Sequence, residues 1–442
     1  MAGLTAGIEP AHLLRPINSP QRQLADNVVY PFEFIVHTGP ELWPYQGEVL
    51  LWHLSRLISI AFGALTIGLT YITSLELKMR RQEALIAAAI LAFMPAFVAQ
   101  SSIVSYDSMS AALTALFLWM GIKAIKQPWC WRWWLAVGGL AGLAITTKYS
   151  AVLLPIEIIF IAILAAWRSR RTVSIASSVS QPSYRILISR VLGAGLAVLL
   201  AVSWWFGFQI WYFNTVPTRG WVAGILEPLM VRGAADSAAV SLTATLLGAE
   251  NVSAAVPANL LERNYPQLIW RTLDSFWATP VMGQFTLSPG LPLLFTLAAL
   301  LAIGGWARYF VLRWQNAWRD IKNDWLPWLV LLVFHTVLIV PLLLVRVFTS
   351  YDPREVAQGR HILIPAASAI AILLAWGWTQ WHYRLAQIGV MGLLAWSVVG
   401  QLGEAIIKYP APMLVWADTA ETGAILPQTP QETLAQAMQL QG

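Results

Sequence analysis

The sequence predicts an all-α polytopic membrane protein with about ten transmembrane helices, and three observations predict it. The 442 residues are 57% hydrophobic, with a mean hydropathy of +0.61. Only 11% of the residues are charged, whereas soluble globular chains carry about 25%. The 24 tryptophans suit a chain that crosses the membrane–water interface many times, because indole rings favour headgroup depth. This composition excludes an ordinary soluble protein.

Ten apolar stretches justify the predicted helices in order, since a transmembrane helix needs about 20 mostly apolar residues. They cover 48–74, 84–102, 108–125, 133–147, 150–167, 189–212, 290–312, 325–346, 362–379 and 385–403. Very short polar turns join the second stretch to the third and the fourth to the fifth. Each of these two pairs is therefore predicted to form a helical hairpin.

The polar stretches divide the chain into five parts. These are an extracytoplasmic segment, six spans, an extracytoplasmic loop, four spans and an extracytoplasmic tail, at 1–46, 47–212, 213–289, 290–403 and 404–442. The loop is predicted to hold one or two amphipathic helices on the membrane. Its end, 273–290, carries Phe276, Trp277 and Phe285 and is interpreted as a re-entrant or interfacial segment with aromatic rings at headgroup depth.

Loop charge predicts the orientation. With the N-terminal segment outside, the inside loops hold sixteen of the 28 Lys and Arg residues: Lys78, Arg80, Arg81, Lys123, Lys126, Arg132, Arg168, Arg170, Arg171, Arg185, Arg190, Arg308, Arg313, Arg319, Lys322 and Arg384. The positive-inside rule favours this arrangement in a multi-pass protein, predicted in the plasma membrane. The net charge of +6 is explained by these loops and predicts no nucleic-acid partner. One cysteine, Cys130, excludes an internal disulfide.

Several ionisable residues gather on the predicted outer face. Asp107 lies in "SSIVSYDSMS" between two uncharged runs, and Lys148 lies in "TTKYS" at the tip of the second hairpin. An ionisable group close to the bilayer is by default a functional hypothesis, although a polar hairpin and a snorkelling lysine explain the two residues equally simply. The stretch "VRVFTSYDPREVAQGRHILIP" packs further charges, among them Arg354, Arg360 and His361, against a span. It is either an ordinary charged loop or a phosphate site, since arginine binds oxyanions bidentately.

Other chemistry has no signature in the sequence. It contains no phosphate-cradling glycine loop followed by Lys and Ser or Thr, no His/Cys metal cluster and no Gly-x-Ser-x-Gly. His335 lies within a predicted span and is expected to be hydrogen-bonded inside the helix bundle.

From about 35 to 403 the layout resembles the bacterial GT-C fold glycosyltransferases of the dolichyl-phosphate-mannose–protein mannosyltransferase type (glycosyltransferase family 39-like). Five stretches carry the resemblance in the family's order: "HLSRLISIAFGALTIGLTYI", "AAAILAFMPAFVAQSSIVSYDSM", "GGLAGLAITTKYSAVLLP", "SFWATPVMGQFTLSP" and "AQGRHILIPAAS". The second matches a proline-containing hairpin with an Asp in its outer turn. The last is similar to the family's Gln-Gly-Arg-aromatic-x-x-Pro signature.

The resemblance implies a membrane glycosyltransferase. Such enzymes move a sugar, with inversion, from a polyprenyl-phosphate-linked donor in the membrane lipid to an acceptor protein, lipid or glycan on the extracytoplasmic side. By this resemblance Arg360, with Lys148, Arg354 or His361, holds the carrier phosphate, and Asp107 orients the acceptor or helps to order the outer loops. No cofactor is certain, and a divalent metal stays open because GT-C enzymes differ in this respect.

One departure from the family concerns the catalytic base. In the family the base lies in an acidic motif just after the first span, followed by a Pro-Pro-Leu-Tyr-like stretch. In "GIEPAHLL", Glu9 and His12 resemble a remnant of that motif, but Ile8 stands where an Asp belongs. We therefore expect the first transmembrane helix and the base-bearing loop to be missing, which would leave the chain as written inactive. Reading the coding DNA upstream of Met1 tests this expectation.

Two other interpretations stay open. The chain could be a non-catalytic scaffold or complex subunit on a GT-C-like fold, in which case stable membrane partners should co-purify with it. It could also be a transporter or flippase, which substrate-dependent counterflow in liposomes would reveal. Charges within the spans are few, and the polar groups gather on one face rather than at midplane, which argues against transport.

Overall fold

The structure, a computed structural model, describes residues 47–173, 184–213, 265–277, 290–317, 326–349 and 364–384, with part of 387–398. Throughout these residues the chain is helical, with turns between the helices and no strand. The predicted all-α fold class is therefore confirmed.

The helices follow the predicted apolar stretches closely. In chain order they are α1 (Gly47–Glu76), α2 (Arg81–Phe93), α3 (Pro95–Ser102), α4 (Tyr106–Lys126), α5 (Trp131–Thr147), α6 (Leu154–Val173), α7 (Tyr184–Phe213), α8 (Tyr265–Trp277), α9 (Gly290–Ala317), α10 (Leu326–Thr349) and α11 (Ala367–Thr379). Short 3-10 turns at Tyr149–Leu153 and Ile364–Ala366 precede α6 and α11.

Five of the described helices are long and apolar enough to cross a membrane. Their spanning parts are His53–Glu76, Tyr106–Lys126, Ser150–Arg170, Arg185–Tyr212 and Leu293–Leu312. Counting the bent pair α2–α3 as one span makes six, and two shorter apolar helices cover Leu326–Ile339 and Ile364–Thr379. The chain is a polytopic membrane protein, and the total of ten spans stays a prediction.

The predicted span at 84–102 consists of two helices bent by 61° to each other. The break falls at Met94, whose backbone is extended (φ −70°, ψ 115°), and Pro95 begins α3. Proline lacks the N–H that a continuous helix needs, and it disfavours helical geometry in the residue before it. The bend gives α3 its own direction, which matters for the site because α3 carries Gln100.

In the second hairpin, the position of α5 is set by its contact with α7. α5 packs closely along α7, and Gly138 makes this approach possible. A Cβ atom added at Gly138 would overlap the carbonyl oxygen of Ala194 on α7, and one at Gly142 would lie 2.8 Å from the carbonyl oxygen of Val198. Small residues allow helix backbones in membranes to approach in this way. This contact fixes α5, and therefore Lys148 at its end.

α8 is the described part of the long loop 213–289. It is a 13-residue amphipathic helix, as the sequence predicts for this region. Phe276 and Trp277 are buried against the protein, 2% and 4% exposed, and Trp277 stacks on Phe295 with 5.2 Å between ring centroids. These two aromatic side chains therefore pack α8 against the rest of the protein. Phe285 lies outside the described residues.

Ion pairs and hydrogen bonds connect several helix ends. Lys123 and Lys126 near the end of α4 form ion pairs of 2.6 and 2.7 Å with Glu76 at the end of α1. Arg190 near the start of α7 donates to the carbonyl of Trp129, just before α5. These ends are the ones that the predicted orientation places on the inner side.

Candidate functional site

The site is built on the N-terminus of α4. Ser105 is the N-cap residue, with extended backbone, and its hydroxyl accepts a hydrogen bond of 3.0 Å from the Asp107 backbone N–H. Serine favours this position because it satisfies one of the free N–H groups of the first turn. Asp107 therefore belongs to the first turn of α4 rather than to the preceding turn, where the sequence places it. A carboxylate there is also favoured by the positive end of the helix dipole.

Asp107 is a buried acceptor of hydrogen bonds. Asp107 is 1% exposed, and the ammonium group of Lys148 forms an ion pair with its Oδ1 atom. The side-chain amide of Gln100 donates to Oδ2 at 2.6 Å. Both carboxylate oxygens thus accept hydrogen bonds, which is the role of the ionised form. The simple interpretation of Asp107 as part of a polar surface hairpin does not agree with this burial.

Lys148 reaches Asp107 because α5 ends at this residue. The Lys148 backbone is extended (φ −153°, ψ 132°), and its N–H caps α5 by donating to the carbonyl of Ala144 at 2.8 Å. Its side chain is 10% exposed, and Nζ lies 5.5 Å from the centroid of the Tyr106 ring, at cation–π distance. The ammonium group is turned into the protein and does not snorkel to the interface.

Gln100 completes the described part of the cluster. Besides Asp107, its side-chain amide nitrogen donates to the Ser105 hydroxyl at 2.7 Å, and its backbone carbonyl accepts from the Ser108 hydroxyl at 3.2 Å. Gln100 is 3% exposed. It links the end of α3 to the start of α4, so the bend at Pro95 and the position of the Asp107 carboxylate are connected.

The buried ion pair is a demanding arrangement. Removing one partner of such a pair leaves an uncompensated buried charge, at a cost of about 3–5 kcal/mol. An apolar pair of similar volume is often as stable or more stable. Stability alone therefore gives no reason for an acid and a lysine at this position, which favours a chemical role.

Four other predicted site residues lie outside the described residues: Glu9, Arg354, Arg360 and His361. The structure does describe the end of the motif that carries two of them. Pro365 is buried, and its carbonyl accepts a hydrogen bond of 2.8 Å from the Thr114 hydroxyl, two turns along α4 from Asp107.

Sequence reasoning missed three contributors to the site: Gln100, Ser105 and Tyr106. A signal for Ser105 exists, since a serine two residues before an acid at the start of an apolar run is typical of a helix N-cap. No comparable pattern identifies Gln100, because its role depends on the direction that the bend gives to α3.

No metal centre is evident where the structure describes the chain, since it holds no group there of three or more His, Cys, Asp or Glu side chains able to bind a metal ion.

The bent hairpin, the buried acid–lysine pair and the apolar helices define a polytopic membrane protein with a polar site at one end of its helices. Residues 52–205, about a third of the chain, match the family model described as "Dolichyl-phosphate-mannose-protein mannosyltransferase". No curated protein and no solved structure matches the chain. The family match confirms the predicted resemblance to GT-C mannosyltransferases over residues 52–205.

The family match and the described structure overlap at the candidate site. Asp107 and Lys148 lie within both, and so do Gln100, Ser105 and Tyr106. Arg354, Arg360 and His361 lie outside the matched residues, as does Glu9. The buried pair is therefore the part of the candidate site on which sequence similarity and geometry converge.

Proposed function

We propose that this chain is a membrane glycosyltransferase that moves a sugar, with inversion, from a polyprenyl-phosphate-linked donor to an acceptor on the extracytoplasmic face. The observation that carries the proposal is the buried Asp107–Lys148 pair within the family match. A lipid-linked donor suits a polytopic scaffold, because its carrier chain stays in the bilayer while the sugar reacts at the surface.

The position of the pair supports an outer site. Asp107 and Lys148 lie at the opposite end of α4 from Lys123 and Lys126, and the ends rich in Lys and Arg are predicted to be cytoplasmic. Loop charge therefore supports a site on the extracytoplasmic side. The proposal takes the membrane to be the plasma membrane, with an acceptor protein, lipid or glycan on its outer face.

Lys148 is the described residue best suited to the carrier phosphate. An ammonium group has three donors, so it can bind a phosphate oxygen while it stays bonded to Asp107. Phosphate is the leaving group, and preorganised cations stabilise the charge that develops on it. Arg360, with Arg354 or His361, would supply the bidentate contacts that a lysine cannot make.

Asp107 is better suited to holding Lys148 than to acting as the base. Charge-assisted hydrogen bonds are about 2.8 Å long, so a carboxylate and a phosphate sharing one ammonium lie within about 6 Å. In inverting sugar transfer to water, the base and the group on the leaving side are about 6.5–9.5 Å apart, on opposite faces of the sugar. Asp107 therefore orders the outer site, and Glu9 stays the predicted candidate for the base.

The proposal is tested by donor consumption. The full chain would be reconstituted in liposomes with polyprenyl-phosphate-linked hexoses, and free polyprenyl phosphate would be measured by mass spectrometry. Asp107→Asn is compared with Glu76→Gln, which removes a charge from the other end of the bundle. Release of carrier that depends on Asp107 and not on Glu76 supports the proposal.

Other results would favour the alternatives. No consumption of any donor, together with stable co-purifying membrane proteins, would favour a scaffold or complex subunit. Donor movement across the bilayer without cleavage would favour a flippase. Adding Mg²⁺, Mn²⁺ or a chelator to the same assay decides whether a divalent metal is needed.

A further inference from the structure

A surface of arginines and tryptophans lies at the end of the helices where α5 and α7 begin. We call it the basic–aromatic surface, and it consists of Trp129, Trp131, Arg132, Arg185 and Arg190. Both tryptophans are exposed, and so are the first two of the three arginines. Loop charge predicts that this end is cytoplasmic. The proposed sugar transfer uses the opposite end of the helices, so it gives this surface no role.

Arg190 is held in a fixed orientation within the surface. Its guanidinium carbon lies 3.8 Å from the centroid of the Trp131 ring, at cation–π distance, and Nη2 donates to the Trp129 carbonyl at 3.0 Å. Trp131 in turn packs on α7 at Gly193, where an added Cβ atom would overlap the indole ring. A preorganised side chain loses little further freedom when it binds a ligand. The surface therefore presents a preorganised cation.

The Arg190 guanidinium keeps donors for a ligand. It has five N–H groups, and its second acceptor is the Ser189 hydroxyl, which lies 3.5 Å from Nη1 and is distant for a hydrogen bond. Nε is buried and has no partner among the described residues, and a buried donor without an acceptor destabilises a protein. A phosphate bound along the edge of the guanidinium would supply the missing acceptors, because its oxygens match the guanidinium fork.

The other two arginines occupy positions that helix formation does not favour. Arg132 and Arg185 are the second residues of α5 and α7, and neither helix has an acidic residue in its first turn. The positive end of the helix dipole repels a cation there. Lys123 and Lys126, in contrast, lie in the last turn of α4, where the dipole favours them. An anion bound beside the two arginines would offset the repulsion.

Exposed apolar side chains continue from the surface along both helices. Leu135 follows Trp131 by one turn on the same face of α5, and Ile188 and Leu192 lie on α7 close to its start; all three leucine and isoleucine side chains are exposed. In a transmembrane helix such side chains are expected to border acyl chains. A ligand with a charged head and apolar tails therefore fits the surface and its surroundings.

We propose that the basic–aromatic surface binds the headgroup of an anionic phospholipid in the cytoplasmic leaflet. Arg190 binds the phosphate, and Arg132 and Arg185 balance the net negative charge of the lipid. Within the described residues none of these arginines forms an ion pair with a carboxylate, so their charge is uncompensated. A zwitterionic headgroup is disfavoured, because its ammonium group would lie among three arginines. This binding is independent of the proposed sugar transfer.

Native mass spectrometry of the full chain in detergent tests the binding. Phosphatidylglycerol and phosphatidylcholine with identical acyl chains are titrated separately. Each basic residue close to a membrane surface contributes about fivefold to the affinity for anionic lipid. We therefore expect wild type to prefer phosphatidylglycerol by about 10²-fold, Arg190→Gln to lower its affinity by about fivefold, and Arg132→Gln/Arg185→Gln to lower it by about 25-fold.

Arg308→Gln is the matched control. Arg308 on α9 also lies over an indole ring, that of Trp381, at 5.5 Å, and it donates to the backbone carbonyls of Gln380 and Trp381 at 3.1 Å. Loop charge predicts it on the same side of the membrane. This variant should bind phosphatidylglycerol as wild type does. Equal losses in Arg190→Gln and Arg308→Gln would mean that any interfacial arginine attracts the lipid, and would overturn the proposed site.

Cys130 reports where the lipid binds. It is the single cysteine of the chain and lies between Trp129 and Trp131. Phosphatidylglycerol should slow its alkylation by a water-soluble maleimide, whereas phosphatidylcholine at the same concentration should not. The protection should disappear in Arg132→Gln/Arg185→Gln.

Three outcomes would overturn the proposal. The first is equal affinity of wild type for the two phospholipids, and the second is unprotected Cys130 while phosphatidylglycerol is bound. The third is tighter binding of polyprenyl phosphate than of phosphatidylglycerol, which would assign the surface to the carrier lipid. If Arg190→Gln fails to fold, Arg132→Gln/Arg185→Gln still decides, because exposed substitutions rarely unfold a protein.

Discussion

The two ends of α4 carry the same chemistry in different settings. At its start Asp107 is 1% exposed and pairs with Lys148, and at its end Lys123 and Lys126 share Glu76, which is 20% exposed. Lys123, Lys126 and Glu76 form what we call the inner cluster, after its predicted side, and the Asp107–Lys148 pair is called the outer pair for the same reason. The inner cluster follows the helix dipole, because cations are stabilised near a helix C-terminus. Its partial exposure lets water and salt weaken it. The outer pair is buried, so water and salt weaken it much less. It also lies where the family resemblance predicts a functional site.

This comparison shows that an ion pair indicates a functional site only when its burial is considered as well. Both clusters would be found by a search for opposite charges within 4 Å. The inner one serves to fasten the end of α1 to the end of α4 by Lys126, which also donates to the Glu76 backbone carbonyl at 2.5 Å. The pair at the start of α4 joins three chain segments, α3, α4 and the end of α5, through the side chains of Gln100, Asp107 and Lys148.

The largest expected effect comes from removing the outer charge. Asp107→Asn leaves Lys148 as a buried cation without its carboxylate, and the site loses the group that holds it. We expect carrier release to fall by at least about 10²-fold, as for a misplaced catalytic group. The same assay on Glu76→Gln should stay within about threefold of wild type. Equal losses in the two variants would contradict the distinction between the ends.

A charge exchange sharpens the comparison. Lys148→Gln should also abolish transfer, because an amide cannot neutralise a phosphate. The double variant Asp107→Lys/Lys148→Asp restores an ion pair and should recover part of the lost thermal stability without recovering carrier release, since the helix dipole disfavours a lysine at the start of α4. A double variant with near wild-type turnover would mean that any ion pair suffices, and that Lys148 does not contact the phosphate.

The same assay extends to the predicted phosphate ligands outside the described residues. Arg360→Ala should abolish carrier release while the protein stays folded, because the proposed role of Arg360 is to bind the carrier phosphate. Normal turnover in this variant would refute the assignment of Arg360 to the phosphate.

A smaller effect should follow from moving α5. Gly138→Ala places a methyl group against the Ala194 carbonyl, whereas the same change at the adjacent Gly139 meets no atom within 4 Å. Forcing α5 away from α7 shifts Lys148, so Gly138→Ala should lower the thermal midpoint and reduce turnover by about tenfold. Gly139→Ala should change neither. The inner cluster, which does not involve α5, should keep its salt dependence in both variants.

Much of the fold could be predicted from the sequence, and the reason is visible in particular helices. α5 ends at Thr147 and α9 begins at Gly290, as predicted, because apolar runs bounded by polar residues leave little choice where a span must be about 20 residues long. The bend at Pro95 was the exception. Proline stands in many membrane helices, so its presence did not settle whether this helix continues.

The contacts between the site residues were harder to predict from the sequence than the helices. Asp107 and Lys148 are 41 residues apart on separate hairpins, and only the predicted orientation put them on one side. Their direct contact depends on how α5 packs on α7. His335 is hydrogen-bonded within the bundle, as predicted, with Nδ1 2.8 Å from Oε2 of Glu157. These two residues are 178 positions apart in the sequence, and nothing local to either residue identifies the other. Glu157 itself was detectable, as a single acid in an otherwise apolar span.

The smallest expected effect belongs to the inner end. Glu76→Gln should lower the unfolding free energy by about 1 kcal/mol at low salt, since partly exposed ion pairs contribute little. The difference from wild type should shrink as NaCl rises to about 1 M, where the Debye length is about 3 Å. Thermal melts of both proteins in one detergent, at two salt concentrations, measure this directly. Asp107→Asn in the same series should keep its destabilisation at high salt, because salt screens buried charges much less. If the two variants respond to salt alike, then Asp107 is as accessible to solvent as Glu76, and burial does not separate the two ends of α4.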